Sequence, residues 1–539
     1  MCPGDSRNLI LTGFMGTGKT TVGRAVAQRL NLPFVDMDRE IETRAAKSVP
    51  RIFAEDGEAT FRAMEAALCE ELGQQGGRVI ATGGGALVDP NNRAVLTRSG
   101  TIVCLTCDVE EIVRRLDGGD NPDRPLLDTA DPHAEIRQLL DVRREAYAAI
   151  PWQIDTTGLS VEEIAEQAMQ FVGVVTVPVR HPGGEYSIHI GEGLLAHVGE
   201  ALRTTGIPDG SRIAVVSNPV VAPLYGAQVE AALRSAGFQS FACSVPDGEQ
   251  HKTLARVSSL YEQFLAAGLD RGDTVLTLGG GVTGDIAGFA AATFMRGLGF
   301  GQIPTTILAM ADSSVGGKTG VDLPQGKNLV GAFKQPALVV MDSAVLATLP
   351  AEEIRSGMAE VIKYGVIGSP DLFAELEAGA GEHCSWWVGG GMTWIARALR
   401  VKIDVIQEDP FERGRRAVLN LGHTVGHGLE RLSGFALRHG EAVSIGMVAA
   451  ARLAAELGWS DPSLADRITA ALTSWDLPVR CPPFDIDAIW EAMSHDKKQR
   501  GGTLRWVLPR TIGDVVVATD VPPTVVRSIL RDMGARSEK

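Results

Sequence analysis

The chain has 539 residues, 45% of them hydrophobic and 22% charged, a composition that fits several packed cores in a soluble protein. A formal net charge of −15 excludes a broad electrostatic footprint for nucleic acid, so any anionic ligand must be held by local Lys and Arg. Seven cysteines are too sparse for a disulfide framework, and no apolar run approaches the roughly 18 residues of a membrane-spanning helix. The expectation is a cytoplasmic enzyme acting on small molecules, with no nucleic-acid or membrane partner. With a Gly-rich loop beginning at Gly13, no signal peptide is expected.

Residues 1–172 alternate apolar strands ("NLILTGF", "GRVIATGGG", "GTIVCLTC") with amphipathic helices ("TTVGRAVAQRLN", "EATFRAMEAALCEELG"). Alternation of this kind predicts a parallel sheet with crossover helices. The helix "SVEEIAEQAMQFVG" closes this part. A new strand pattern begins at "VVTVPV" without a Ser/Gly-rich linker, and α/β alternation resumes ("RIAVVSN", "DTVLTLGGG", "ALVVMD"). From about residue 350 the pattern turns mostly helical. The expected fold class is α/β. A small α/β domain fused to a two-domain unit, α/β and then mostly helical, fits the length.

"GFMGTGKT", Gly13 to Thr20, satisfies G-x-x-x-x-G-K-[ST] between a strand and a helix. Gly13, Gly16, Thr17 and Gly18 would turn backbone N–H groups onto phosphate oxygens, Lys19 would reach the β/γ-phosphates, and Thr20 would ligate Mg²⁺. "FVDMDREIE" places Asp36 and Asp38 at a strand end, on one side by period two. Arg62 lies early in a helix, Gly83, Gly84 and Gly85 end a strand, Arg124 sits in a polar loop suited to a lid, and Arg143 follows in "RREAY". Two arginines and an aspartate suit a small polyhydroxy acid, the arginines gripping its carboxylate. Cys104 and Cys107 form a C-x-x-C without a second pair, and are expected as ordinary thiols at a strand end.

With the phosphate loop, D-x-D, G-E-x-x-F-R, the triple glycine, R-P-L-L and R-x-x-x-Y in order, residues 7–172 resemble shikimate kinase. The resemblance implies that Asp38, Arg62, Arg143 and Gly83–Gly85 bind shikimate, with Asp38 also orienting or deprotonating the attacking hydroxyl. It implies that Arg124 closes over ATP and that Asp36 helps hold Mg²⁺.

In the larger part, the strand ending in Gly279, Gly280 and Gly281 is followed by a helix expected to open at Gly284 and Asp285, where a pyrophosphate would be welcome. Asp247, Glu249 and Lys252 lie just upstream. "PTTILAMADSSVGGKTGVDLPQGKNLVGAF" is dense in polar residues: Thr305, Thr306, Asp312, Lys318, Lys327 and Asn328. His423 and His427 sit four apart on one helical face. Glu360 lies inside an otherwise apolar helix, where it needs a partner, one turn before Lys363. His439 enters another helix. Three N/O ligands with an open position are the pattern of a catalytic zinc, and four residues compete for three places. Spacing alone leaves that choice open.

GGGVTGD, F-M-R-G, P-T-T…D-S-S-V-G-G-K-T-G, G-K-N, G-M-A-E-V-I-K-Y-G, N-L-G-H-T-x-G-H, H-G-E-A-V and D-K-K together resemble 3-dehydroquinate synthase over about 176–530. The two resemblances imply a P-loop kinase domain with a parallel sheet (1–172) fused to a Rossmann-like NAD-binding α/β domain (175–345) and then a mostly helical metal-binding domain (346–539), and the second implies Glu360, His423 and His439 as ligands of Zn²⁺ (or Co²⁺). It implies NAD contacts from Asp247, Glu249, Lys252, Gly280, Gly281, Asp285, Thr305, Thr306, Lys318 and Lys327. Around the substrate it places Asp312, Lys318, Asn328, Lys363, Lys402, Arg416, Asn420 and His427, with Arg296 and a lysine of "HDKK" (Lys497 or Lys498). A homodimer through this half is implied, with Arg296 supplied across its interface. Asp322 and Leu323 depart from the Asn-His usual in the family. A polyol dehydrogenase, another sugar-phosphate cyclase and a degenerate regulatory module are the competing readings. The ring of lysines speaks against the first, the attached kinase against the second, and the intact Lys19, Asp38 and metal set against the third.

Overall fold

A computed structural model describes residues 7–117, 131–378, 391–434, 436–499 and 504–536. The chain packs into two compact units. The first comprises Met1–Val177, Ser187–Ser211 and Ala227–Ser240, and the second Pro178–Tyr186, Arg212–Gly226 and Phe241–Lys539. Among the described residues no helix is long and apolar enough to cross a membrane.

The first unit is organised by the uninterrupted apolar run of β1 (Asn8–Gly13), buried along its whole length as a central parallel strand must be. Its sheet runs β2-β3-β1-β4-β5, where β2 is Phe34–Asp36, β3 Val79–Ala81, β4 Gly100–Thr106 and β5 Trp152–Asp155. All registers are parallel. The helices α1 (Lys19–Leu30), α2 (Glu58–Gly73) and α3 (Pro132–Ala148) carry three of the four crossovers, and the helix Pro90–Ser99 carries the one from β3 to β4. Gly13 has φ +132°, and a Cβ there would lie 2.1 Å from the Leu105 carbonyl oxygen, so only glycine lets the chain leave β1 against β4. The helix Val161–Met169 opens with a reciprocal capping box between Ser160 and Glu163. Beneath it Trp152 stacks on Phe171 with centroids 5.3 Å apart and meets the edge of His189 at 4.9 Å. His189 is buried, and burial pushes its ring down to about 4, so it sits neutral with Nδ1 3.0 Å from Thr176 Oγ1. The first unit therefore draws core residues from beyond 172.

The placement of Asp38 differs from the sequence expectation. β2 ends at Asp36, and Asp38 stands in the first turn of the helix Met37–Ala45. The Asp36 carboxylate accepts the Arg39 N–H and caps that helix, which ends the strand two residues earlier than period-two reading implies.

In the second unit, β6 (Arg212–Ser217), β7 (Thr274–Gly279), β8 (Gly299–Pro304) and the strand Leu338–Asp342 run parallel. Gly280 caps α4 (Gly281–Thr293), which therefore starts three residues before the expected Gly284. An antiparallel hairpin, β9 (Lys318–Leu323) with β10 (Gly326–Phe333), packs on α4, its register broken at Asp322. The helical part holds α5 (Ala351–Gly368), α6 (Gly391–Glu408), α7 (His423–Leu432) and α8 (His439–Glu456). A Cβ at Gly440 would lie 1.7 Å from the Ser356 carbonyl oxygen, and one at Gly446 1.8 Å from that of Gly422. Backbone contact of α8 with α5 and with the start of α7 is what brings their polar residues to one point.

Candidate functional sites

In the first unit the loop from Phe14 to Gly18 opens α1, and Lys19 Nζ donates to the Phe14 carbonyl at 2.9 Å. Burial pushes the Lys19 ammonium down to about 8, although Asp38 and Asp36 support its charge. Burial also raises Asp38, opposed by Lys19 and Arg62. Thr20 Oγ1 donates to Asp36 Oδ2 at 2.7 Å, so the two residues expected at Mg²⁺ are already adjacent. The triple glycine is the floor on which the other residues converge. A Cβ at Gly83 would meet Asp38 Oδ1 at 2.6 Å, one at Gly84 would meet Arg143 Nη1 at 3.1 Å, and one at Gly85 would meet Arg62 Nη1 at 2.5 Å. The hydrogen atoms of these glycines leave that space to the two guanidinium groups and the carboxylate.

Two further residues complete this pocket: Glu65, which no motif names, and Tyr147, the last residue of R-x-x-x-Y. Glu65, buried and one helical turn after Arg62, accepts from Arg62 Nη1 at 2.5 Å and so aims the guanidinium. Tyr147, one turn after Arg143, donates to the Gly84 carbonyl at 2.7 Å and fixes the turn. Both lie at i+3 or i+4 from a predicted site residue, the spacing that could have found Glu65. Arg124 lies outside the described residues.

In the second unit, Glu360 on α5, His423 at the start of α7 and His439 at the start of α8 bring donor atoms within 4.8 Å of one another. Glu360 Oε1 is 3.8 Å from His423 Nε2 and 3.5 Å from His439 Nε2. These gaps are at or beyond hydrogen-bond reach, and match donors that each stand about 2 Å from one shared cation. His423 Nδ1 lies 3.1 Å from the Leu421 carbonyl, which leaves Nε2 bare. Burial and the Lys363 ammonium press the His423 ring down to about 3. Burial alone would raise Glu360, but Lys363, His439 and His423 hold it at about 2. Burial opposes charge on His439 as well, yet Glu360 and Glu430 lift it to about 10. Two buried carboxylates flank that ring and favour positive charge between them. A divalent ion supplies that charge with release of the proton, so the residues fit a metal.

Beside this cluster lies a second one. Lys363 pairs with Glu360 and rests 4.8 Å from the Tyr364 ring centroid. Tyr364 donates to Asp312 Oδ1 at 2.6 Å, and Lys402 Nζ reaches the same oxygen. Burial would raise Asp312, but Lys402 and Lys363 outweigh it and hold it well below the usual carboxylate range. Burial pushes Lys402 down to about 8 against the pull of Asp312. Arg416 donates to the carbonyls of Pro410 and Gly316. Asn420 and Lys318 both approach Glu412, an unpredicted member of the group. His427 is exposed, its ring 5.2 Å from His423 and 6.1 Å from His439.

On the dinucleotide side, Lys252 Nζ bridges Asp285 and Asn328 Oδ1, at 2.5 and 2.6 Å. Burial raises Asp285, against the effect of Lys252. Lys327 pairs with Glu249 at 3.1 Å. Asp247 accepts from Asn218 at 3.0 Å. A Cβ at Gly280 would face Thr306, and one at Gly281 would face Ser313. Thr305 Oγ1 is buried without a hydrogen bond, while Thr306 Oγ1 accepts the Ala309 N–H. Asp322, the residue that departs from the family, accepts the Asn328 N–H at 2.7 Å and ties the β9–β10 turn, where Asn328 has φ +54°. Arg296 is not brought to either cluster. It stands exposed at φ +71°, with no ion pair among the described residues. The side chains of Lys497 and Lys498 lie outside the described residues.

Residues 15–173 match the family model of shikimate kinase, residues 242–356 that of the 3-dehydroquinate synthase N-terminal part, and residues 357–499 that of its C-terminal part. The 3-dehydroquinate synthase of Synechocystis sp. is 46% identical over 359 residues, covering 66% of this chain and 99% of its own. That of Symbiobacterium thermophilum is 45% identical over 347 residues, 64% of this chain and 96% of its own. Among solved structures, 2-epi-5-epi-valiolone synthase from Streptomyces hygroscopicus subsp. jinggangensis, with NAD⁺ and Zn²⁺ bound, is 30% identical with a TM-score of 0.60, covering 65% of this chain and 96% of its own. A 2-deoxy-scyllo-inosose synthase complexed with carbaglucose-6-phosphate, NAD⁺ and Co²⁺ is 26% identical with a TM-score of 0.61, covering 67% and 100%.

The phosphate loop and the three-helix donor cluster thus define a P-loop phosphotransferase joined to a metal-centred α/β enzyme. More particularly, the chain belongs to the 3-dehydroquinate synthase family, and its first third is a shikimate kinase domain. Its activities are the ATP-dependent phosphorylation of shikimate and the cyclisation of 3-deoxy-arabino-heptulosonate 7-phosphate to 3-dehydroquinate with release of phosphate. Identity is higher to the dehydroquinate synthases than to the two cyclitol synthases, which sets aside the reading as another sugar-phosphate cyclase.

Proposed function

We propose that the division of labour follows residues 1–172, 175–345 and 346–539, and that each site works through the residues just described. In the kinase, Arg62 and Arg143 hold the shikimate carboxylate and the Gly83–Gly85 turn seats its ring. Asp38 takes the proton of the attacking hydroxyl, a role its raised affinity for protons suits. Lys19 and Arg124 neutralise the transferring phosphoryl, and Thr20 with Asp36 hold its Mg²⁺.

In the synthase, Glu360, His423 and His439 hold Zn²⁺ or Co²⁺. NAD lies against Gly280, Gly281, Thr305, Thr306 and Asp285, with Asp247, Glu249, Lys252, Lys318 and Lys327 about it. When bound, the metal acidifies the substrate hydroxyl and NAD accepts and returns a hydride. Lys363, Lys402, Arg416, Lys318, Asn328, Asn420 and His427, with Lys497 or Lys498, surround the carboxylate and phosphate of the sugar. Asp312 orients Lys402 by direct contact. Arg296 reaches this site from a second copy of the chain in a cytoplasmic homodimer.

The observation that carries the synthase reading is the convergence of Glu360, His423 and His439 beside the Asp312–Lys402–Lys363 cluster. Dialysis against a chelator, followed by Mg²⁺ and ATP, is expected to abolish phosphate release from the heptulosonate phosphate while preserving shikimate phosphorylation. Zn²⁺ or Co²⁺ restores the lost reaction. Full phosphate release by metal-free protein would overturn the assignment.

The hairpin gives a second test. Asp322→Ala removes the acceptor of the Asn328 N–H and with it the support for the Lys252 partner. NAD affinity, read by NADH fluorescence titration, is expected to fall about fivefold, the worth of roughly 1 kcal/mol for one hydrogen bond. Asp322→Asn keeps the oxygen and stays near wild type. An unchanged affinity in the Ala variant would show that the turn holds without this bond.

A further inference from the structure

Glu430 lies on α7, seven residues after His423 and on the same face, and is only 3% exposed. Its Oε1 is 3.4 Å from Nδ1 of His439 and 3.5 Å from Lys327 Nζ. Its Oε2 is buried without a hydrogen bond. The other ring nitrogen of His439, Nε2, faces Glu360 at 3.5 Å. The imidazole is thus held between two carboxylates, one at each nitrogen. A carboxylate on the far nitrogen of a metal-binding imidazole selects the tautomer, fixes the ring plane and strengthens the donor. His423 has only the neutral Leu421 carbonyl in that position.

An alternative role for Glu430 is direct ligation, because His427, Glu430 and His439 also bring donor atoms within 4.8 Å of one another. A divalent ion there would face the Lys327 ammonium, which already approaches the same Glu430 oxygen. His439 turns Nε2 toward Glu360 in the group that His423 completes, which leaves Nδ1 for Glu430 as a supporting carboxylate.

We infer that Glu430 is a positioning residue that holds His439 for the metal by accepting from its Nδ1–H. The inference rests on the proposed metal site at Glu360, His423 and His439.

The test titrates metal-free full-length protein with Co²⁺ against a chromophoric competitor, recording stoichiometry, affinity and the visible cobalt bands. Wild type is expected to bind one Co²⁺ per chain. Glu430→Gln, which keeps shape and loses charge, is expected to bind one Co²⁺ about 10- to 100-fold more weakly. Its visible bands shift, which a purely structural defect in a correctly loaded site would not produce. Glu430→Asp keeps the charge one methylene further back and falls between the two, and it carries the test should the Gln variant not fold. Wild-type affinity and bands in both variants would overturn the inference. Loss of cobalt in Glu430→Gln with retention in Glu360→Gln would also overturn it, by making Glu430 a ligand. Absence of cobalt binding in the wild type would instead overturn the metal site itself, and the inference with it.

Discussion

Replacing Glu360 by glutamine lowers phosphate release from the heptulosonate phosphate by about 10³-fold or more, some 4 kcal/mol of lost transition-state stabilisation. Glutamine keeps the volume of a fully buried side chain, so α5 has no reason to repack. What changes is charge. The amide offers one weak oxygen to the metal, and whichever way it turns it leaves the Lys363 ammonium without its anionic partner. A buried cation stripped of its counter-charge costs several kcal/mol or gives up its proton. Both consequences act on the same reaction, since the site would lose its metal and the cationic group expected to meet the substrate. Metal content by elemental analysis is expected to fall with activity, and shikimate phosphorylation by the same preparation is expected to stay within about twofold of wild type, since Glu360 belongs to the other enzyme. Retention of both metal and phosphate release would remove Glu360 from the ligand set.

The matching change in the first unit is Lys19→Met. The thioether chain fills the same channel beneath Phe14 and removes only the ammonium and its bond to the Phe14 carbonyl. Shikimate phosphorylation is expected to drop about 10³-fold, a loss of the size seen when a charge that meets the transferring phosphoryl is deleted. Phosphate release by the synthase should not change. The wild-type enzyme carries a pH signature of the same residue. Burial brings the Lys19 ammonium to about 8 in the free protein. The protonated form binds the anionic nucleotide, so the dissociation constant for ATP rises as pH climbs through about 8, by up to tenfold per unit. Below that pH it is flat with respect to this group. Binding of ATP raises the affinity of Lys19 for its proton by the same linkage. The dependence disappears in Lys19→Met, and its persistence there would assign the titration to another group.

Much of the chemistry was legible because it sits in runs of contiguous residues. A phosphate loop needs glycines at set positions to turn N–H groups inward, and Gly13, Gly16 and Gly18 with Lys19 announce this without any tertiary information. The metal set was legible only in part. His423 and His427 share a helical face, but the geometry joins His423 to His439 and to Glu360, 63 residues upstream, through helix contacts that no local pattern encodes. Resemblance chose between them where spacing did not. Glu430 and Glu65 were missed although each lies at helical spacing from a named residue, because a carboxylate on a helix reads first as a solvated charge. Asp38 was assigned to a strand because period two places it beside Asp36; the capping bond to Arg39 decided otherwise. Glu412 and Tyr364 answer to partners far along the chain, and their roles appear only once Lys318 and Asp312 are in place.

The packing of Trp152 against His189 bears on how the polypeptide is made. Translation delivers residues in order at about 5–20 per second, and domains tend to fold as they emerge. Here the emerging kinase lacks part of its interior until residues 187–211 and 227–240 have followed it out of the ribosome. For a delay on the order of seconds, the indole of Trp152 has no His189 imidazole against it. Part of the interior of the first unit is thus encoded downstream of the kinase motifs.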